Sequence, residues 1–290
     1  MKKIKKSLFY IAYTLVAIGC FLYFLFPSET FKGVVSAYLL KMLPDYQIQI
    51  DRLQPVLPLG LKFEPVIVSQ NDRMLAQIDT LNVTPRIASL LSSRKTVNFR
   101  GKAYQGVLKG HIDVNTSDKS TQTDVFLKLA DIQLSDILYL QEKLGRKLSG
   151  FLNGDVDLMD NNGPKRSIKG KLDLADVRME LSNPIINVKE VVLDLVEAEF
   201  NINKQVFSLK RLEAKGGQVE GSLTGTIMIR KPMGKSRINL RGSFFPQEVL
   251  LASVKDILPG KFIKQQMGDK GMPIRIYGTI EKPKYSFSFR

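Results

Sequence analysis

The chain has little of the raw material from which metal sites, disulfides and histidine-based catalytic centres are built. Its 290 residues include one histidine (His111), one cysteine (Cys20) and no tryptophan. A structural zinc site usually takes four Cys or His ligands, and a disulfide takes two cysteines. We therefore expect no metal, no cofactor and no disulfide.

Signatures of catalysis are also missing. His111 stands two residues before Asp113 in an alternating segment, so the two side chains should share a strand face, but no serine or cysteine nucleophile motif accompanies them. Two carboxylate pairs have a spacing that could imitate an acid/base pair, yet this spacing is typical of any solvated strand face: Asp155 with Asp157, and Glu197 with Glu199. We expect that the protein is not an enzyme.

Positive charge is in excess. The 43 Lys and Arg residues outnumber the 28 Asp and Glu residues and give a formal net charge of +15. Such an excess favours anionic partners, which include lipid headgroups, nucleic acid and acidic proteins. Because the basic residues are dispersed and no aromatic-rich recognition motif accompanies them, we expect no nucleic-acid partner.

The N-terminus has the pattern of a membrane anchor. A basic tail, residues 1–7, precedes an uncharged apolar run over residues 8–26, close to the roughly 20 residues with which a helix crosses a bilayer. The run ends in bulky side chains, whereas a cleaved signal peptide has a shorter apolar region and a small-residue exit, so we expect it to be retained. The predicted anchor residues are Leu8, Phe9, Ile11, Leu15, Val16, Ile18, Phe21, Leu22, Phe24, Leu25 and Phe26.

Lysines orient this anchor. Lys2, Lys3, Lys5 and Lys6 precede the apolar run, and the next lysine is Lys32. Basic residues favour the cytoplasmic side of a membrane. We therefore expect a single-pass protein of the bacterial inner membrane, with a cytoplasmic N-terminus and most of the chain in the periplasm.

Beyond the anchor, the periodicity changes from helical to strand-like. Residues 27–45 should form a juxtamembrane amphipathic helix, which packs on the first strands or lies against lipid. Residues 46–290 should form one β domain, because apolar and polar residues alternate with a period of two. Three short helices should cap the ends of the sheet: residues 86–91, 136–144 and 247–257.

Several alternating segments supply apolar side chains for a core or a groove. Val188 to Ile202 is apolar on both faces, which predicts a central strand. Glycines recur within the strands, as in the phrase Gly150-Phe151-Leu152-Asn153-Gly154, and such glycines permit bends and bulges. The candidate groove or core residues are Val125, Leu127, Leu129, Val191, Leu193, Leu195, Tyr285, Phe287 and Phe289.

Three phrases, taken together with the N-terminal apolar run, carry a resemblance to a known family. They are the strand-helix phrase over residues 78–91, the phrase from Leu144-Gly145-Arg146 to Asp157-Leu158, and the closing Tyr277-Gly278-Thr279-Ile280-Glu281-Lys282-Pro283-Lys284-Tyr285. In these the chain resembles AsmA-like periplasmic proteins. Its size is most similar to the type II secretion system protein N (GspN) family of the delta-proteobacterial and spirochaete kind.

The resemblance implies a fold and two functions. The fold would be mainly β, a long, strongly coiled antiparallel sheet with a taco shape and a few short capping helices. The first function is that of an inner-membrane-anchored accessory of the type II secretion system, a scaffold that binds other secretion components. The alternative is an AsmA-like role in envelope biogenesis, in which an apolar groove binds or transfers membrane lipid by its acyl chains.

Overall fold

The structure is a computed structural model of the chain. It describes residues 23–57, 59–89, 91–117, 120–160, 166–185, 188–247 and 271–287, together with Phe9, Tyr10, Tyr13, Thr14, Ala17, Gly19 and Phe21.

The described residues are mainly β structure, as the alternation predicts. Fifteen strands are present, and their pairings are antiparallel. The chain divides into two compact units, Met1–Ala103 and Tyr104–Arg290. That division falls inside the 46–290 segment that the sequence predicts as one domain.

The described part of the first unit contains five strands. They are β1 (Gln47–Val56), β2 (Gly60–Gln70), β3 (Arg73–Ile78), β4 (Thr80–Pro85) and β5 (Arg94–Ala103). β2 pairs with β1, and it also pairs with β4 near its beginning and with β3 near its end. Asn71 and Asp72 both have positive φ angles, which suit the tight turn between β2 and β3.

Helix α1 (Ser28–Met42) packs on this sheet through one side only. Val35 and Leu39 lie against the buried cluster of Ile50, Leu53, Phe63 and Val66. The predicted helix is therefore confirmed, and so is its packing on the first strands. Other members of its apolar stripe stay in solvent, since Val34 is 64% exposed and Tyr38 is 63% exposed.

In the second unit, the described segments form ten strands in simple succession, each paired with the next along the chain. They are β6 (Gly106–Ser117), β7 (Ser120–Gln133), β8 (Leu148–Asp160), β9 (Ser167–Ile185), β10 (Val188–Asn203), β11 (Val206–Lys215), β12 (Val219–Met228), β13 (Arg237–Pro246), β14 (Met272–Thr279) and β15 (Pro283–Phe287). β10 lies between β9 and β11, inside the sheet, but its described side chains are half-buried or exposed on both faces, so it is not covered on both sides as the sequence predicts.

Of the three predicted capping helices, one is confirmed. This is helix α2 (Leu138–Leu144), which lies within the predicted range 136–144 and follows a 3-10 turn (Leu134–Asp136). It ends at Gly145, which has the left-handed conformation that favours glycine. The helix predicted over 86–91 is wrong, because only a 3-10 turn, Ile87–Ser89, forms there. The helix predicted over 247–257 lies outside the described residues, apart from Gln247.

Candidate functional site: an open apolar face

The register of the second unit aligns apolar side chains into rows that cross the sheet. Residues directly opposite each other in antiparallel strands share a face. One row runs through Ile112, Val125, Leu158, Ile168, Ile202, Phe207, Ile227 and Ile238. The next runs through Leu127, Val156, Gly170, Phe200, Leu209, Gly225, Leu240 and Ile276. We call the surface formed by these two rows the apolar face.

The opposite side of the same strands is polar. The neighbouring row contains Asp157, Lys169, Asn201, Ser208, Thr226 and Asn239, which pair with one another across successive strands. Strand side chains alternate between faces, so each of these residues points away from the apolar face. Along these rows the sheet is therefore two-sided, although the polar side also carries some apolar residues, such as Phe126, which pairs with Asp157, and Leu195 in β10.

The apolar face is only half covered. In the first unit, the core residues Leu53 and Phe63 are 3% and 7% exposed. On the apolar face Leu209 reaches a similar 7%, whereas the other aliphatic and aromatic side chains of the two rows are half-buried. A second layer packed over these side chains would bury them fully. In the part of the chain that the structure describes, the face is thus open to a further apolar partner.

Aromatic rings occupy the middle of the face. The rings of Phe200 and Phe207 stack with their centroids 5.3 Å apart. The Phe200 ring also lies over Gly170, where an added Cβ atom would collide with it. A glycine opposite a large ring is a known way to fit an aromatic side chain into a sheet. The absence of a side chain at Gly170 therefore lets the ring lie flat against the backbone.

The predicted groove or core residues do not all lie on the apolar face. Val125 lies in the first row and Leu127 in the second, and Leu129 continues the same side of β7. Val191, Leu193 and Leu195 are half-buried in β10, but they alternate onto the side opposite Phe200 and Ile202, so they are not part of the apolar face. Tyr285 is 59% exposed. Phe287 pairs with Ile274 in the backbone register, but its side chain and the whole of Phe289 lie outside the described residues.

Sequence reasoning missed most of the apolar face, since of its residues only Val125 and Leu127 are among the predicted groove residues. Ile227, Ile238, Leu240 and Ile276 were not among the predicted groove residues, although each alternates with a polar neighbour in its strand. That alternation is the signal that could have found them. It does not show by itself which strands are neighbours, so the continuity of the rows follows only from the pairing.

The carboxylate pair Glu197 and Glu199 is part of an ion network rather than an acid/base pair. Lys215 donates a hydrogen bond to the Glu197 carboxylate, and Arg211 lies 3.6 Å from the same group. The hydrogen bond from Lys215 and its charge lower the pKa of Glu197, which favours the ionised form. A general acid needs the opposite shift.

His111 contacts one aromatic ring and lies near one carboxylate. Its ring stacks on Phe126 with the ring centroids 5.4 Å apart, and its Nε2 atom lies 3.9 Å from Asp113 Oδ2. Among the described residues, no group of three or more His, Cys, Asp and Glu side chains is arranged to hold a metal ion.

The predicted anchor is described only in part. The described positions from Phe9 to Phe24 are helical, and Phe9, Phe21, Phe24 and Leu25 are exposed, whereas Phe26 packs beside the first unit's core. In the described part of the chain, no helix is both long enough and apolar enough to cross a bilayer. The remaining predicted anchor and orientation residues lie outside the described residues: Leu8, Ile11, Leu15, Val16, Ile18, Leu22, Lys2, Lys3, Lys5 and Lys6.

Comparison with known proteins gives no relative for this chain. No protein-family model, no curated protein and no solved structure matches it.

Proposed function

We propose that this protein binds the acyl chains of membrane lipids on its apolar face, as an anchored protein of the bacterial envelope. The observation that carries the proposal is the continuity of the two apolar rows across the second unit, on side chains that stay half-buried. An acyl chain is a suitable partner because it is long, narrow and wholly apolar.

The dimensions and energies suit this partner. Neighbouring strands lie about 4.8 Å apart, so a row that crosses eight strands extends over roughly 34 Å. One leaflet contributes about half of the roughly 30 Å of hydrocarbon in a bilayer, so a row could accommodate more than one acyl chain end to end. Each CH₂ group removed from water contributes about 0.8 kcal/mol, which makes the binding of even part of a chain favourable.

The anchor is part of the same proposal. Residues 8–26 would span the inner membrane with the N-terminus in the cytoplasm, because four lysines precede the run. Residues 27–290 would then lie in the periplasm, where lipids pass between membranes. A reporter that is active only in the periplasm, fused after Arg290, tests this orientation: activity supports it and inactivity contradicts it. The strongly coiled, taco-shaped sheet that the family resemblance implies remains a prediction.

Lipid that co-purifies with the full chain tests the proposal. After extraction in mild detergent and extensive detergent exchange, we expect phospholipid in at least stoichiometric amount, because the open face should retain acyl chains that detergent displaces slowly. A single-pass membrane protein with no β domain, purified in the same way, is the control for lipid that merely surrounds an anchor. Equal lipid on both proteins would contradict lipid binding by the apolar face.

The second candidate function is that of a scaffold in type II secretion. The observation that favours it is the charged outer side of β10 and β11, where Glu197, Arg211, Glu213 and Lys215 form an exposed ion network. Such a surface suits a polar protein interface. In the same purification, secretion components without phospholipid would favour this function over lipid binding.

A further inference from the structure

Two turns lie side by side at one end of the first unit. The turn between β1 and β2 begins after Val56, which pairs with Gly60. Gly60 is next to β4, since a Cβ atom added to it would meet Thr84 Cγ2 at 2.8 Å. Pro85 at the end of β4 pairs with Val97 of β5, so the turn between those strands leaves from the same end of the sheet.

Both turns present large aliphatic side chains to solvent. Leu57 and Leu59 of the first turn are 65% and 51% exposed, and Ile87 and Leu91 of the second are 54% and 98% exposed. Single exposed aliphatic residues are ordinary, but a group of them on adjacent turns marks an interaction surface. We call this group of four side chains the leucine edge.

The leucine edge adjoins the apolar run that precedes α1. Gly19 and Tyr23 of that run line a pocket of about 500 Å³ together with Leu57, Leu59, Leu61 and Val97. Gly19 stands seven residues before Phe26, which corresponds to about 10 Å along a helix. If the apolar run ends at the membrane surface, Gly19 would lie about 10 Å inside the bilayer. The β1–β2 turn lies beside Gly19 and would then be at a similar depth.

Basic residues flank the leucine edge on its second turn. Arg86, Arg94 and Lys95 are all exposed, and they surround Ile87 and Leu91 in the chain. Aliphatic side chains bordered by Lys and Arg are typical of segments that enter the boundary between headgroups and acyl chains. The basic groups would face the phosphates, while the aliphatic groups would reach below them.

The second turn is held in shape by a buried serine. Ser89 is 8% exposed, its hydroxyl donates to the carbonyl oxygen of Arg86 over 2.6 Å, and it accepts from the amide of Thr96 over 3.0 Å. Ser92 in turn donates to the carbonyl oxygen of Ser89 over 3.0 Å. These bonds hold Ser89 and Ser92, which precede and follow Leu91 in the chain, and Leu91 itself is exposed.

From these observations we infer that the leucine edge docks on the surface of the anchoring membrane and inserts Leu57, Leu59, Ile87 and Leu91 among anionic phospholipids. The inference rests on the membrane anchor proposed above, and it is independent of lipid binding by the apolar face. The edge would act as a second attachment that fixes the first unit against the bilayer. The occupant is lipid rather than protein because the anchor itself brings the bilayer to this end of the unit.

The absence of tryptophan from the chain allows a direct test. The full chain, with Leu57→Trp or Leu91→Trp as its single tryptophan, is reconstituted in vesicles that contain phosphatidylglycerol and phospholipid brominated on the acyl chains. We expect about a twofold loss of tryptophan emission, because residues at the headgroup boundary reach about 5–10 Å into the bilayer, where bromine quenches them. Leu91 is almost fully exposed, so its replacement should leave folding intact.

Two matched variants separate the edge from the anchor. Phe21→Trp, in the apolar run, should be quenched at least as strongly. Met74→Trp should not be quenched, because Met74 pairs with Ser69 at the far end of β2, nine residues and about 30 Å from Gly60. Quenching at 21 without quenching at 57 and 91 would overturn the docking and leave the anchor standing.

The remaining outcomes also decide the inference. No quenching at position 21 would remove the anchor and the docking together. A blue-shifted emission at 57 or 91 that brominated lipid leaves unchanged would mean that protein, such as a second copy of the chain, covers the edge. Arg94→Gln combined with Lys95→Gln should reduce quenching at 91 but not at 21, and equal quenching in vesicles without anionic lipid would contradict the anionic preference.

Discussion

Ile227→Asp is expected to remove most of the lipid from the purified protein, while Thr226→Asp leaves it in place. The two residues are neighbours in β12, and they lie on opposite sides of the sheet because Ile227 pairs with Ile238 whereas Thr226 pairs with Asn239. A carboxylate on the apolar face would lose water when an acyl chain binds over it, and this desolvation is strongly unfavourable. A cost of about 1.4 kcal/mol already lowers the affinity tenfold, so we expect at least a tenfold loss.

Thr226→Asp serves as the control for charge and for strand propensity. It adds the same carboxylate one residue away, on the exposed polar side. Lipid content per chain, measured by mass spectrometry after identical purification, gives the comparison, and thermal unfolding shows whether both variants fold. If both folded variants keep the lipid of the parent protein, or if both lose it, the assignment of the apolar face as the binding surface is wrong.

Of the substitutions that we predict, Phe63→Ala should lower the free energy of unfolding the most. The loss should be confined mainly to the first unit. Phe63 is 7% exposed and belongs to the cluster on which α1 packs. Removing a buried ring loses its packing and leaves a cavity, which typically costs about 3–5 kcal/mol. Hydrogen exchange of the β1, β2 and β4 amides should therefore accelerate strongly.

Leu91→Ala is the matched control for that prediction. Its side chain is 98% exposed, so truncation should change the free energy of unfolding by no more than about 0.5 kcal/mol. Hydrogen exchange at the β1, β2 and β4 amides is measured for both variants. Equal acceleration in Phe63→Ala and Leu91→Ala would show that the cluster around Phe63 is not the core of the first unit.

The strands and α1 could be predicted from the sequence because their signals are local. Alternation with a period of two marks strands such as β7, and the four-residue spacing of Val35 and Leu39 marks a helix. The glycine within β8 is a further local signal. Gly154 has a positive φ angle and pairs with Leu129, where the register between β7 and β8 shifts, but the extra residue lies in β7, in which Asp131 also has a positive φ angle.

The candidate site could be predicted only in part because it depends on pairing. The alternation predicts Val125 and Leu127 as groove residues from their own strand, but their alignment with Ile227 and Leu240 needs the order and register of seven strands. The leucine edge could not be predicted either, because it depends on hydrogen bonds that the sequence pattern does not show. The segment from residue 86 to 91 looked helical, yet the bonds of Ser89 to Arg86 and Thr96 tie it into a turn that exposes Leu91.

Photo-crosslinking from lipid acyl chains tests the central claim most directly. Cells that express the full chain are fed a fatty acid with a photoreactive group within its acyl chain, and crosslinked peptides are mapped after irradiation. We expect crosslinks at residues of the apolar face such as Phe200, Ile227 and Leu240, and few at Thr226 and Asn239 on the polar side. Crosslinks confined to residues 8–26, or spread equally over both sides of the sheet, would contradict lipid binding by the apolar face.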